Sequence, residues 1–505
     1  MEKSLLKVYN DKTICRIFLL IIIFTIVLFN YTGEIVTLND GAGWDGYSYR
    51  DMIINIDHLY FDRGISQYHC QRILPFLITH IIIKLSNLDF TNENIIFVSR
   101  IQNIFFLLLI VCCFFGISKQ LKWKKQTEII AFCFAFFNFH VLKFLGYVPI
   151  FTDMLALLLS YALIYYYLKK SNLGIIIVGL LGMLTWPIVS LLALLLFAFP
   201  SHKIELGDYK DKFSIIVNKG MQLFYSFFMP ILFVFYCIYR FKIKHVDTFY
   251  DVFYIRSASH WIVFIIAVIS YIIFFWFSST TLKSDWYSHL KICLKRQSLL
   301  RIICSIIVFV LLFKGTQYFG YKGQFSIVNQ FAQMCQLPIT DILIFLETPA
   351  LYLGLFFVVT LFLWKKICNE VAIHFGFSYY LILLLAFFFL ADIETRKLTA
   401  FYPVILLPLA NVINRMKLRH SVVLAVVIIQ LIVSFFWFHI NVPGINEAFE
   451  TMSFDVYMEF PAQRYYMFQG PWQSHEVYYF VLLGEIIVMS IIGYLHHKNI
   501  LYINE

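Results

Sequence analysis

Charge is scarce in this chain. Asp, Glu, Lys and Arg together make up 14% of its 505 residues, where a soluble domain carries nearer a quarter, and this excludes water as the main solvent. Also missing are a low-complexity linker, an internal repeat and any stretch polar enough to fold as a soluble unit, so residues 1–505 read as a single integral membrane domain. The ten cysteines lack metal-like spacing. Most lie within apolar runs, the usual setting of a small buried thiol. Only Cys70 and Cys335 fall in expected outer loops, where a bridge between them is one option.

Apolar residues make up 61% of the chain, with 56 Phe and 32 Tyr, a supply suited to packing between helices and to anchoring at membrane interfaces. The formal net charge of +10 sits in short clusters between apolar runs, such as Lys122 to Lys125 and Arg415 to Arg419. Clusters of that kind set orientation in a membrane and face lipid headgroups, so nucleic acid is not expected as a partner.

A basic tail (Lys3, Lys7, Lys12, Arg16) precedes the first apolar run, Cys15 to Tyr31, and no small-residue cleavage site follows it. It therefore reads as a retained helix that carries the next loop outward. The pattern predicts an all-α polytopic bundle with about thirteen to fourteen crossing segments and both termini cytoplasmic. These lie near 15–31, 96–118, 127–145, 153–169, 172–184, 186–200, 221–239, 260–278, 299–314, 341–364, 371–391, 398–414, 420–439 and 476–494. Basic residues then fall mostly on the inner side, except in Arg240 to His260. Ile73 to Lys84 is too short to cross and is expected to lie on the outer surface, with His80 and Lys84 on its polar side. Residues 172–200 form two short apolar stretches broken at Thr185-Trp186-Pro187. Irregular backbone at that depth must be buried in protein or line a cavity, so a site opening outward is expected.

The outer loops carry the chemistry. In the first (32–95), Asp40-Gly-Ala-Gly-Trp-Asp45-Gly-Tyr-Ser-Tyr49-Arg50-Asp51 sets carboxylates and aromatics among three glycines that allow a sharp turn. An interfacial polar turn is the simpler reading, and Asp40 and Asp51 compete with Asp45 as a working carboxylate. Further on, Tyr68-His-Cys-Gln71-Arg72-Ile-Leu-Pro75 puts a guanidinium before a helix start, where it serves either as a phosphate clamp or as a lipid anchor. Thr152-Asp153 opens an apolar helix, with Asp153 or the neighbouring Thr152 as its cap, or with Asp153 holding a metal or positioning an arginine. Asp392-Ile-Glu394-Thr-Arg396-Lys397 gathers four charges, each costing about 2.5–3.5 kcal/mol at mid-bilayer unless paired or solvated. Asn138, His140 and Lys143 make a polar stripe toward the outer end of the third span.

At Asp45-Gly-Tyr-Ser-Tyr49, Tyr68 to Pro75, Thr152-Asp153, Thr185-Trp186-Pro187 and Glu394-Thr-Arg396 before Tyr402-Pro403, the sequence resembles bacterial polytopic proteins grouped with GT-C-type glycosyltransferases. The resemblance is best over the first two hundred residues. It implies a GT-C-like fold in the bacterial inner (plasma) membrane and a sugar drawn from a polyprenyl-phosphate carrier. The acceptor would be a glycan or a lipid-linked molecule at the outer face, and the anomeric centre would invert. Asp45 would be the base, and Arg72 and Arg396 would bind the phosphate. Asp153, Glu394, Tyr49 and Gln71 would support them, with a divalent cation left open. The last outer loop (440–475) matches nothing in that plan. A cell-envelope polysaccharide polymerase and a transporter or flippase are the competing readings.

Overall fold

A computed structural model of the chain describes residues 2–33, 35, 39–43, 45–203, 212–238, 286–322, 344–390, 395–434 and 475–502, with isolated positions 265, 268–273, 275, 276, 443 and 450. Among the described residues the fold is all-helical, without a β-strand. The sequence motifs at Arg240 to His260, most of 260–278, Cys335 and nearly all of 440–475 lie outside them.

The chain enters through α1 (Glu2–Thr32) and then makes four short helices, α2 (Gly46–Ile54), α3 (Ile56–Phe61), α4 (Gln67–Cys70) and α5 (Ile73–Leu85). Thirteen residues of α5 rise about 20 Å; the helix packs on α2, with Phe76 stacked on Tyr49 and His80 bonding the Ile53 carbonyl, and Thr79 donates to Gln102 of the next helix. A long helix, α6 (Asn92–Gln120), starts where the Thr91 hydroxyl accepts from Asn94 N–H and Glu93 faces the helix's positive end. Next, α7 (Lys125–Phe136) stops and turns by 49° into α8 (Phe139–Leu142) and a π-helical stretch (Lys143–Tyr147). Nearly all of α7 from Thr127 to Phe136 is buried, against α1 and against two helices from the far end of the sequence.

After α9 (Asp153–Leu168) come two twelve-residue helices, α10 (Asn172–Met183) and α11 (Pro187–Ala198). They fold back on each other as an antiparallel hairpin. A Cβ on Gly179 would lie 3.0 Å from that of Ala193, one on Gly182 would lie 3.0 Å from Ser190, and Ser190 Oγ donates to the Gly179 carbonyl. Small residues at these positions let the two backbones approach. Each arm rises about 18 Å, short of the ~30 Å hydrocarbon core, and the two meet at a tip formed by Thr185-Trp186.

The rest of the bundle comprises α12 (Lys212–Ile238), α13 (Trp286–Cys293), α14 (Arg296–Tyr318), α15 (Ile344–Leu353), α16 (Leu355–Glu370), α17 (Phe377–Leu390), a 3₁₀ helix (Thr395–Ala400), α18 (Tyr402–Arg415), α19 (His420–Val433) and α20 (His475–His497). Among the described residues four helices are long and apolar enough to cross a membrane, within α1, α6, α14 and α20, and a fifth if the bent α7–α8 unit is one span. Other expected spans fall on apolar helices of 10–17 residues, among them α9, α17 and α19, or outside the described residues.

A buried polar network ties the basic end of the bundle. Glu128 of α7 accepts from Arg16 at 2.7 Å and sits 3.4 Å from Lys12, pinning α1. Trp123 Nε1 donates to Asn411 at 2.7 Å, and Asn411 and Arg415 both reach Glu370. Both carboxylates of this network are thus paired, as burial of a charge requires.

Candidate functional site

The glycine-rich turn of the first loop is shaped by backbone that only glycine adopts easily. Gly41 and Gly43 have φ of 89° and 79°, and a Cβ on Gly43 would meet Val148 Cγ1 at 3.0 Å. The turn therefore seats directly on the segment after the π stretch, and α2 starts at its end with Asp45 in the N-cap position. The three carboxylates that competed in the sequence separate here. Asp40 faces Arg50 at 3.6 Å with an exposed side chain, and Asp51 accepts from Asn55. Asp45 alone of the three meets Arg396, whose Nη2 lies 3.1 Å from its Oδ2.

Arg396 arrives from the 3₁₀ helix, 351 positions later, and its guanidinium lies 5.2 Å from the Phe151 ring centroid. Its side chain is 9% exposed and that of Asp45 43%, so the carboxylate is held by one oxygen and open to solvent on the rest. Tyr49, one turn after Asp45, is fully buried between Phe76 (4.3 Å, stacked) and the edges of His69 and Phe151. Its hydroxyl has no partner among the described residues. Burial pushes the Tyr49 phenol well above its ordinary range, Tyr68 adds to the rise, and the charges of Arg72, Asp45 and Arg396 all reach it. His69 is held below the usual imidazole value by burial and by Arg72, against the opposing pull of Asp45. These two rings mark the place where the predicted charges converge.

Arg72 precedes α5, with its guanidinium 3.8 Å from the Tyr68 ring and 5.9 Å from Trp186 at the hairpin tip. The tip is fixed there because Leu74 N–H donates to the Leu184 carbonyl. Arg72 is 8% exposed, and its Nε has no partner among the described residues. Gln71, expected in a supporting role, has its Nε2 3.3 Å from both Phe313 O and Thr316 Oγ1 of α14, so it docks that helix against the first loop. Adjacent side chains on a helical turn point about 100° apart, which lets one motif serve two jobs.

Asp153 sits buried in the first turn of α9, two residues after Phe151, and the 3₁₀ helix packs on that end of α9. Thr152 occupies the cap position without a side-chain cap bond. Glu394, like Asp392 and Trp44, lies outside the described residues. Cys70 is buried, with its thiol pushed up to about 11 by burial.

Sequence reading placed Asn138 and His140 on a polar stripe; the structure gives them other work. Asn138 closes the α7 break by bonding the Phe134 and Ala135 carbonyls and the Tyr402 hydroxyl. His140 Nε2 meets Thr399 Oγ1 at 2.7 Å. Phe151, Thr399 and the approach of Trp186 to Arg72 carried no signal beyond residue type, because each depends on packing between distant segments. A divalent cation needs several oxygen or imidazole ligands, and no three His, Cys, Asp or Glu side chains gather among the described residues. The Asp45 carboxylate is instead engaged by the Arg396 guanidinium. No family model, curated protein or solved structure matches this chain.

Proposed function

We propose that this chain is an inverting, GT-C-like glycosyltransferase that moves a sugar from a polyprenyl-phosphate carrier to a glycan or lipid-linked acceptor at the outer face of a bacterial plasma membrane. The reading extends to about thirteen to fourteen crossing segments with both termini cytoplasmic, the shorter apolar helices completing the count. One observation carries it: the Asp45–Arg396 pair, formed where Tyr49 and His69 also sense Arg72.

In this scheme Arg396 orients the Asp45 carboxylate while the exposed part of the group faces the acceptor. Asp45 takes the proton of the acceptor hydroxyl as that oxygen attacks the anomeric carbon. The bond from that carbon to the phosphate oxygen breaks, and the phosphate leaves with the electron pair. Arg72, buried against Tyr68 and Trp186 with a spare N–H, supplies the positive charge that the leaving phosphate needs. A single carboxylate suffices, because direct displacement forms no glycosyl–enzyme intermediate.

The α7–α8 break and the α10–α11 hairpin also suit a transporter, whose sites are built from interrupted helices. Labelled polyprenyl-phosphate sugars supplied to membranes separate the two. Transfer by the wild type and its loss in Asp45→Asn at matched expression supports the enzyme. Movement of label across the membrane without transfer supports the transporter, and transfer unaffected by Asp45→Asn removes Asp45 as the base.

A further inference from the structure

The break in the third apolar segment has a partner far along the chain. His140, 3% exposed, follows the break on α8, and its Nε2 lies 2.7 Å from the hydroxyl of Thr399, which is 1% exposed. The same hydroxyl bonds the carbonyl of Arg396 one turn earlier. A hydroxyl has one proton; given to the Arg396 carbonyl, it leaves the oxygen to accept from His140, which fixes the Nε2–H form of the imidazole. Arg396 in turn reaches Asp45 at 3.1 Å.

We propose that His140 and Thr399 are positioning residues that hold the backbone turn of Arg396 so that its guanidinium meets Asp45. The bend at Phe137-Asn138 serves this end, since an unbroken α7 would carry His140 along the helix axis and away from the 3₁₀ helix. Asn138 holds the bend from beneath through Tyr402, the residue that opens the helix following that turn. The chain of contacts therefore runs from the broken helix to Thr399, to the Arg396 carbonyl, and through the side chain to the carboxylate. None of these groups touches a reacting atom. Their effect is on geometry, where a misplacement of about 1 Å lowers a rate on the order of a hundredfold.

The functional part of this proposal rests on the glycosyltransferase reading, and the test keeps the two apart. The full chain in detergent is followed by hydrogen–deuterium exchange over residues 395–400, and membranes are assayed for transfer from labelled polyprenyl-phosphate sugars. Thr399→Val keeps shape and removes the hydroxyl; it and His140→Phe are expected to speed exchange in that segment and to lower kcat roughly ten- to a hundredfold with KM unchanged. Thr399→Ser and His140→Gln restore the hydroxyl and the N–H donor and should return both readouts toward wild type. In an Arg396→Gln background, Thr399→Val should cost no further activity. Exchange unchanged by Thr399→Val overturns the proposal. So does an equal loss in the Ser and Gln variants, because packing alone then explains the two residues. A wild type that transfers no sugar overturns the glycosyltransferase reading, while exchange still decides whether these residues hold Arg396.

Discussion

Asp45 stays half exposed while Arg396 is nearly covered, and this asymmetry separates the pair's chemistry from its stability. An ion pair open to solvent contributes about 0–1 kcal/mol, so Asp45→Asn is expected to leave the unfolding temperature in detergent almost unchanged while transfer is lost. A large fall in that temperature would make the pair a structural clamp. His69 gives a pH signature of its own. Burial and Arg72 hold its folded-state value below that of the unfolded chain, so at mildly acidic pH the unfolded state binds a proton that the folded state refuses. The stabilisation from a neutral His69 is complete above the ordinary imidazole value of about 6.5 and declines as pH falls from there toward the folded value. Thermal unfolding at pH 7.5 and 5.5 should show a smaller drop for His69→Gln than for wild type; equal drops would mean that His69 does not titrate in this window. At this scale the sequence made Asp45, Arg72, Arg396 and Tyr49 legible as a group, because charge and aromatic rings beside glycine turns are visible in one dimension. Where Gln71 docks was not legible, since the side to which a helical residue points depends on which helix arrives beside it.

Among the elements, the α10–α11 hairpin ties the membrane bundle to the site. Its arms meet through Gly179, Gly182, Ser190 and Ala193, and its tip carries Trp186 to Arg72. Gly182→Leu places four extra carbons where a Cβ already meets Ser190 and Val189 at 3.0 Å, and overpacking of this kind costs about 1–3 kcal/mol. The expected outcome is a lower unfolding temperature, with Trp186 fluorescence shifted as the tip separates from Arg72; a spectrum and stability equal to wild type would show that the arms are not packed this closely. Sequence located the break at Thr185-Trp186-Pro187 correctly, because proline starts α11 and two short apolar runs flank it. That the arms run in opposite directions follows from Lys169-Lys170 and Lys203 both being expected inside, but how closely they pack was not legible. The glycines that permit it are spaced as they would be on any apolar helix, and the choice was made by the facing residues. The α7 break was legible even less, since Asn138 inside a run of phenylalanines gives no breaker signal until Tyr402 comes to meet it.

Among the described residues, α7 has a polar network at its basic end and leads through its break to His140, which meets Thr399 beside Arg396. The hairpin's two feet adjoin Lys169-Lys170 and Lys203, both on the expected inner side, while its tip contacts the first outer loop. In a background stripped of native cysteines, Ser171→Cys and Lys203→Cys should both react with a membrane-impermeant thiol reagent from the cytoplasmic side, and Asp62→Cys from the opposite side. Labelling of Ser171→Cys and Lys203→Cys from opposite sides would refute the hairpin's orientation.

The long apolar runs and the 14% charge pointed to helices suited to lipid, because a continuous apolar run of this length closes its backbone hydrogen bonds within itself. Sequence also marked the few residues kept charged or polar in the outer loops, Asp45, Arg72, Asp153 and Arg396 among them. Tertiary structure decided the rest. It brought Arg396 to Asp45 from 351 positions away, left Asp40 and Asp51 to other partners, docked Gln71 on α14 and packed the arms of the hairpin closely. The physical reason is common to all four: local pattern fixes what a segment can bury, but partners are chosen where distant segments meet, and no single stretch of sequence records that meeting.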